Sequence, residues 1–364
     1  AASPSEKFTQ AVKDLNNVTE EPSNDVKLQL YALLKQATVG KCNVPKPGTF
    51  DFVGKVKWDA WNKLGDTSQD DAQNEYVALV TKLAGKKAPG PAQSQKAEAA
   101  ASSGVEGLVT TFQDGAFIIR FNRPSERNSI TFEMYEEVIK LLKEAGQRDD
   151  VKFLVLTGTG EVFSSGQHLG HFLTQLQMGG PQGEPAKESV ELIRRYVAEF
   201  INFPKPAIAL INGPSIGISC TILGLFDLVY ASDKAKDKNT PFTQLGMSPE
   251  GCSSYTFPRI MGFNRACELL LMNSRLSAKE AQKCGFVSEC FPDGSFQEEA
   301  QKKIQEMAKL PPKSLMHSKK LVRASVLEDL HKANNQECER IVELFASEEA
   351  KKAVMAYLRS KGKL

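Results

Sequence analysis

The residues whose types and spacing first suggest chemistry are GPSIG at 213–217, a G-x-S-x-G pattern that follows an apolar, β-rich run. A serine on such a strand-to-helix turn can act as a nucleophile, given a histidine base and an acid between them in chain order. Here Ser215 would pair with His317 through Asp227 or Asp233. The plain alternative is a structural turn in which Ser215 takes no part in chemistry. GTGEVF at 158–163 invites a dinucleotide-binding reading, but that fingerprint requires glycine or alanine at its sixth position, where this chain has Phe163. No Walker-A phosphate loop occurs. His168 and His171 lie three apart without further ligands at suitable spacing, so no metal site is expected. Seven cysteines (42, 220, 252, 267, 284, 290 and 338), an odd number without a Cys-x-x-Cys pair, fit free thiols better than a disulfide framework.

These residues sit in a chain that divides in two. AGKKAPGPAQSQKAEAAASSG at 84–104 contains almost nothing that could fill a core, which is linker composition. The segment before it reads as four helices. Phe8, Ala11, Val12 and Leu15 follow i, i+3, i+4, i+7, and Val26, Leu30, Leu33, Leu34 and Ala37 continue that period. Val53, Val56, Ala60 and Leu64 form a third stripe closed by Gly65. Thr67 with Asp70 suggests the capped start of a fourth, carrying Tyr76, Leu79, Val80 and Leu83. After the linker, strands and helices alternate. GLVTTFQ and AFIIRFN flank Asp114-Gly115, a hairpin signal. A helix over 131–145 leads to the strand VKFLVLTG, and a helix over 189–203 leads to the strand AIALIN. A turn, a helix and the strand DLVYAS follow, and after about residue 260 the pattern is mainly helical. Such alternation implies a buried sheet covered by helices, with ligands near the strand ends.

Composition excludes several classes. With 46 basic and 44 acidic side chains the net charge is +2, which argues against a general nucleic-acid or membrane-surface binder. The most apolar stretch, 207–230, is broken by Asn212, Gly213, Pro214, Ser215 and Asp227, so no membrane span is expected.

YALLKQATVG at 31–40 and KVKWDAWNKLG at 55–65 resemble the acyl-CoA-binding protein family, and the likeness runs along nearly the whole first unit. It implies that Lys13, Tyr31, Lys35, Lys57 and Tyr76 contact CoA, whose adenine stacks on aromatic rings and whose phosphates attract cations. Leu34 stands where that family usually has a second tyrosine. The second unit resembles the crotonase (enoyl-CoA hydratase/isomerase) superfamily from about Gly107 onward. The resemblance runs through FNRPSERNSI (121–130), FSSGQHL (163–169), KPAIALINGPSIG (205–217), DLVYASD (227–233), MSPEGCSSYTFPR (247–259) and ELFASEEAKKAVMAYLRSKGK (343–363). The expectation is an α+β multidomain chain. It comprises a four-helix acyl-CoA-binding bundle at 1–88, a flexible linker at 89–104, and a crotonase domain of ClpP/crotonase-like spiral fold with C-terminal helices at 105–364.

The resemblance also implies a chemistry. Taking a proton from carbon 2 of an acyl-CoA makes an enolate whose charge collects on the thioester oxygen, and fixed backbone N–H groups stabilise that charge. Those donors map to the amides of Gln167 and Ile218, within a substrate-binding loop of Ser164, Ser165, Gly166, Gln167 and His168. The superfamily's hydratases use two glutamates, at positions where this chain has Thr221 and Phe242. Glu250, in MSPEG, stands where the Δ3,Δ2-enoyl-CoA isomerases of the superfamily carry their single catalytic glutamate. Isomerisation of 3-enoyl-CoA thioesters is therefore the leading expectation, with no cofactor beyond the CoA of the substrate. A hydratase or thioester hydrolase on the same fold, and a non-catalytic acyl-CoA carrier, are the alternatives. Acyl-CoA and enoyl-CoA thioesters are the implied partners, and a homotrimer or hexamer the implied assembly. The final Gly-Lys-Leu resembles the Ser-Lys-Leu peroxisomal address with glycine for serine, so the matrix of the peroxisome, the mitochondrion or both is expected.

Overall fold

The computed structural model describes residues 5–15, 24–47, 52–84, 101–102, 104–168, 170, 184–236 and 238–360. The chain forms two compact units, Ala1–Gln95 and Lys96–Leu364.

In the first unit, helices α1 (Glu6–Leu15), α2 (Asn24–Val39), α3 (Phe52–Asn62) and α4 (Gln69–Ala84) match the four periodic stripes. Phe8, Ala11, Leu30, Leu33, Ala37, Ala72, Tyr76 and Val80 form the core, and the Phe8 and Tyr76 rings meet edge-on at 5.1 Å. Two details differ from expectation. Val56 is 49% exposed, and α3 instead buries Trp61, whose indole N–H donates to the Gly40 carbonyl (3.0 Å) and to Gln36 Oε1 (3.2 Å). Ser68, not Thr67, caps α4: the Asp71 amide donates to Ser68 Oγ, which donates in turn to the Asp71 carboxylate. The Thr67 hydroxyl is already committed to the Leu64 carbonyl, closing the preceding turn.

In the second unit, β1 (Ala101–Ser102), β2 (Leu108–Gln113), β3 (Ala116–Phe121), β4 (Phe153–Gly158), β5 (Ala207–Ile211), β7 (Leu228–Ser232) and β9 (Glu289–Phe291) form one sheet in that order. The first three pair antiparallel and the rest parallel. Ala101 and Ser102, assigned above to the linker, pair with Thr110 and Val109 and so belong to this sheet; residues 89–100 of that linker lie outside the described residues. The β2–β3 turn has positive φ at both Asp114 (54°) and Gly115 (83°), the backbone that matches strand twist in a two-residue hairpin. A smaller sheet pairs β6 (Ser215–Ile216) with β8 (Lys238–Asn239).

Alternate strand residues face opposite layers. On one side Ile119, Leu154, Leu156, Ala209, Ile211 and Val229 join the core beneath α5 (Phe132–Gln147) and α6 (Glu184–Asn202). On the other, Ile118, Phe153, Val155, Ile208 and Leu210 pack with Phe296, Ala300 and Ile304 of a later helix, α11 (Phe296–Ala308). Truncating such a residue, Leu156 for example, to alanine costs about 2–5 kcal/mol. Thr131 caps α5 by accepting from the Met134 amide. A short helix, α7 (Ile218–Thr221), follows β6. Beyond β8 come α8 (Ser253–Met261), α9 (Phe263–Leu270), α10 (Ala278–Lys283), α12 (Pro312–Ala324), α13 (Leu327–Phe345) and α14 (Glu348–Ser360), with β9 and α11 between α10 and α12. The mainly helical reading of this half misses β9, a three-residue edge strand too short to show a period. Among the described residues no helix is long and apolar enough to cross a membrane.

Candidate active site

Two loops at the ends of β4 and β5 lie side by side. Ser164 and Ser215 form a parallel bridge, and the Ile216 amide (3.0 Å) and the Ser219 hydroxyl (2.9 Å) both donate to the Ser164 carbonyl. The Ser164 side chain is fully buried. Its hydroxyl donates to the Asn128 carbonyl (2.7 Å) and accepts from the Gly166 amide (3.1 Å), so it holds the loop from within. Ser165 is tied by its amide to the Arg127 carbonyl (3.0 Å). Gly166 has φ 80°, and a Cβ there would sit 2.5 Å from the Ile216 carbonyl oxygen. Only glycine allows this approach. Asn128, which sequence reasoning passed over inside FNRPSERNSI, is the staple behind the loop. Its amide donates to the carbonyls of Thr159 (2.9 Å) and Val162 (2.7 Å), and its oxygen accepts from the Arg123 amide (2.8 Å).

This lacing directs the two expected donors. The bridge between Ile130 and Gln167 uses the amides of Ile130 and His168, which turns the Gln167 N–H to the opposite side. Ile218 opens α7 after Gly217 (φ 61°, ψ −132°), whose carbonyl is taken by the amides of Cys220 and Thr221. A first-turn N–H has no partner within its own helix and is available to a developing negative charge.

Glu250 approaches the same helix. A Cβ on the adjacent Gly251 would collide with Thr221 Oγ1 and lie 3.4 Å from Ile218 Cδ1, so the Glu250 loop abuts α7 directly. The turn that follows is unusual: Gly251 and Cys252 both have positive φ, 67° and 61°. Glu337 of α13 secures it, accepting from the Cys252 amide (2.7 Å), the Ser254 amide (2.9 Å) and the Ser254 hydroxyl (2.5 Å). Glu337 carries no sequence signal, since its role depends on a contact across 85 residues. Burial, with the Glu337 charge adding to it, pushes the Glu250 carboxyl up to about 8. Burial likewise raises Glu337, against the three hydrogen bonds it accepts. A carboxyl in such a setting can take a proton from carbon and hold it through an intermediate.

Other candidates fall elsewhere. Ser215 is fully buried in the bridge, and His317 lies on the exposed face of α12. Asp227 is occupied by the Ala207 amide (2.8 Å), Lys319 (2.8 Å) and Arg323 (3.2 Å), and Asp233 accepts from the Asp293 amide (3.0 Å). These residues form no triad. Thr221 is buried with its hydroxyl on the Ile218 carbonyl, and Phe242 is a core residue. Partly exposed His168 follows Gln167, while His171 lies outside the described residues. In the helical unit, the Lys57 ammonium lies 5.2 Å from the Tyr31 ring centre and Lys35 5.9 Å from that of Trp61, which gathers cations and aromatic faces on α2 and α3. Tyr76 is only 1% exposed and belongs to the bundle core rather than to that surface group. Lys13 lies on α1, but its side chain is outside the described residues.

Comparison with known proteins agrees with this geometry. The Enoyl-CoA hydratase/isomerase family model matches residues 111–363, and the Acyl CoA binding protein model matches residues 5–80. The chain is 46% identical over 360 residues to Enoyl-CoA delta isomerase 2 of Homo sapiens, covering 98% of this chain and 89% of that protein. It is 39% identical over 320 residues to Enoyl-CoA delta isomerase 3, peroxisomal, of Mus musculus, covering 88% and 99%. The crystal structure of an enoyl-CoA hydratase/isomerase from Pseudoalteromonas atlantica T6c superposes with a TM-score of 0.62 at 28% identity, over 70% of this chain and 98% of that one. The chain thus belongs to the enoyl-CoA hydratase/isomerase family, with an acyl-CoA-binding protein domain preceding the catalytic one.

Proposed function

We propose that this enzyme is a Δ3,Δ2-enoyl-CoA isomerase that works through one carboxylate. The thioester oxygen of a 3-enoyl-CoA accepts from the amides of Gln167 and Ile218. Glu250 takes a proton from carbon 2, and the electron pair of that C–H bond spreads into the carbonyl as an enolate. The enolate then re-forms the carbonyl, the double bond moves to carbons 2 and 3, and the former π pair takes the proton from Glu250 at carbon 4. Atoms balance without water. Each backbone donor contributes about 3–4 kcal/mol to such a step by analogy with other oxyanion holes, and the base about 10²–10⁴-fold.

The observation that carries this reading is the pairing of Glu250 with α7, where the neighbouring carboxylate is already committed. Hydration needs a second acid to place water, but Thr221 and Phe242 cannot ionise, and Glu337 is held by three donors in the loop backbone. The isomerase names of the human and mouse relatives support the same choice. The helical unit then serves as an acyl-CoA-binding module through Tyr31, Lys35 and Lys57, and the peroxisomal or mitochondrial matrix is the compartment. The mouse relative is named as peroxisomal. A homotrimer or hexamer completes the proposal. Purified protein should convert 3-hexenoyl-CoA to the conjugated 2-enoyl product, read by absorbance, far faster than it hydrates crotonyl-CoA. Comparable rates in the two assays would overturn the one-carboxylate reading.

A further inference from the structure

Two tyrosines that neither the fold nor the mechanism above requires lie against the catalytic carboxyl. Tyr135 of α5 and Tyr196 of α6 are both fully buried, with ring centres 4.7 Å apart and planes at 86°. Neither hydroxyl has a hydrogen-bond partner among the described residues. Buried phenols are rarely left so, because each has surrendered its bonds to water. A phenylalanine would fill the same apolar space without that cost. Both phenols are raised above their ordinary range by burial and, in addition, by the charge of Glu250, which places them in reach of its field.

We propose that Tyr135 and Tyr196 are positioning residues for Glu250, whose ionised carboxylate accepts hydrogen bonds from their hydroxyls. The inference rests on the isomerase reading and adds to it the groups that hold the base. Burial and the Glu337 charge both favour the protonated acid, which cannot abstract a proton at neutral pH. Donors aimed at the ionised form oppose that bias. The remaining ionisable groups coupled to Glu250 are Glu337 and Cys338 of α13, and neither supplies such a donor: Glu337 is an acceptor for the loop, and the Cys338 thiol points to the Asn334 side chain. Two phenols on different helices also suit a base that must serve carbons 2 and 4 in turn, since they limit the carboxylate to a small arc.

The test is the pH profile of kcat/KM for 3-hexenoyl-CoA isomerisation in the full chain, wild type against Tyr135→Phe, Tyr196→Phe and the double variant. Loss of donors to the ionised form should move the acid limb to higher pH by about one unit in the double variant, with a drop of about tenfold at pH 7. The thermal midpoint should stay level or rise, since each substitution removes a buried hydroxyl without a partner. In a Glu250→Gln background the same changes should leave residual turnover unaltered. The single variants keep the test readable should the double variant fail to fold. An acid limb that coincides with wild type, or equal losses with and without Glu250, would overturn the inference while leaving the isomerase reading intact. Wild-type protein that does not isomerise the substrate would overturn both.

Discussion

Replacing Glu250 by glutamine should make the protein more stable at alkaline pH, and the size of the gain follows from the site. The carboxyl is pushed up to about 8 by burial and the Glu337 charge, from an ordinary value near 4.5. The folded state therefore binds this proton more tightly than the unfolded chain does. Its stabilising contribution is complete below the unfolded value and is lost as pH rises from about 4.5 through about 8. At about 1.4 kcal/mol per pH unit the full span would cost nearly 5 kcal/mol. Coupling to Glu337 and partial access to solvent reduce that to about 2–4 kcal/mol. Glutamine has the same size and cannot ionise, so it removes this loss, whereas the contribution of Glu337 stays nearly the same in both proteins. Thermal unfolding should give nearly equal midpoints for wild type and Glu250→Gln at pH 5, diverging to about 5–10 °C in favour of the variant at pH 8. Parallel midpoints across that range would refute the buried, proton-retaining environment assigned to Glu250.

Three further outcomes are expected. Gly166→Ala forces a Cβ to within 2.5 Å of the Ile216 carbonyl oxygen at positive φ, so the oxyanion loop must shift and kcat should fall about 10²–10³-fold; activity near wild type would show that the loop does not carry the donor. Glu337→Ala leaves the donors at Cys252 and Ser254 without their acceptor, so denaturant titration should show a loss of about 3–5 kcal/mol, with kcat falling more than KM rises. Ser215→Ala should leave turnover within a few-fold, with no labelling of wild-type Ser215 by a fluorophosphonate; stoichiometric labelling would revive the hydrolase.

Much of this architecture was legible because its signals are local. The hairpin at Asp114-Gly115 needs positive φ at two adjacent residues, and the stripes of the helical unit need only the helical period. Motif order likewise pointed to Gln167, Ile218 and Glu250, which lie on loops joined by backbone contacts. What escaped depends on distant pairings. Glu337 reads as one more helical glutamate until α13 places it on the Cys252 amide. Tyr135 and Tyr196 read as core aromatics, and only their paired burial beside Glu250 gives them another meaning. Val56 and Trp61 show the limit of periodicity itself, because a large ring with a satisfied N–H won the interior position over a valine on the expected stripe.

The central claim is that Glu250 alone moves the proton from carbon 2 to carbon 4. The most direct measurement compares 3-hexenoyl-CoA isomerisation by wild type and Glu250→Gln at saturating substrate, alongside calorimetric binding of an acyl-CoA to each. Glutamine keeps the size and polarity of the side chain but has no basic lone pair for the proton. The account predicts a fall in kcat of about 10²–10⁴-fold or more with acyl-CoA binding nearly unchanged. A variant that keeps most of the wild-type rate would contradict it, and the proton would have to travel through another group.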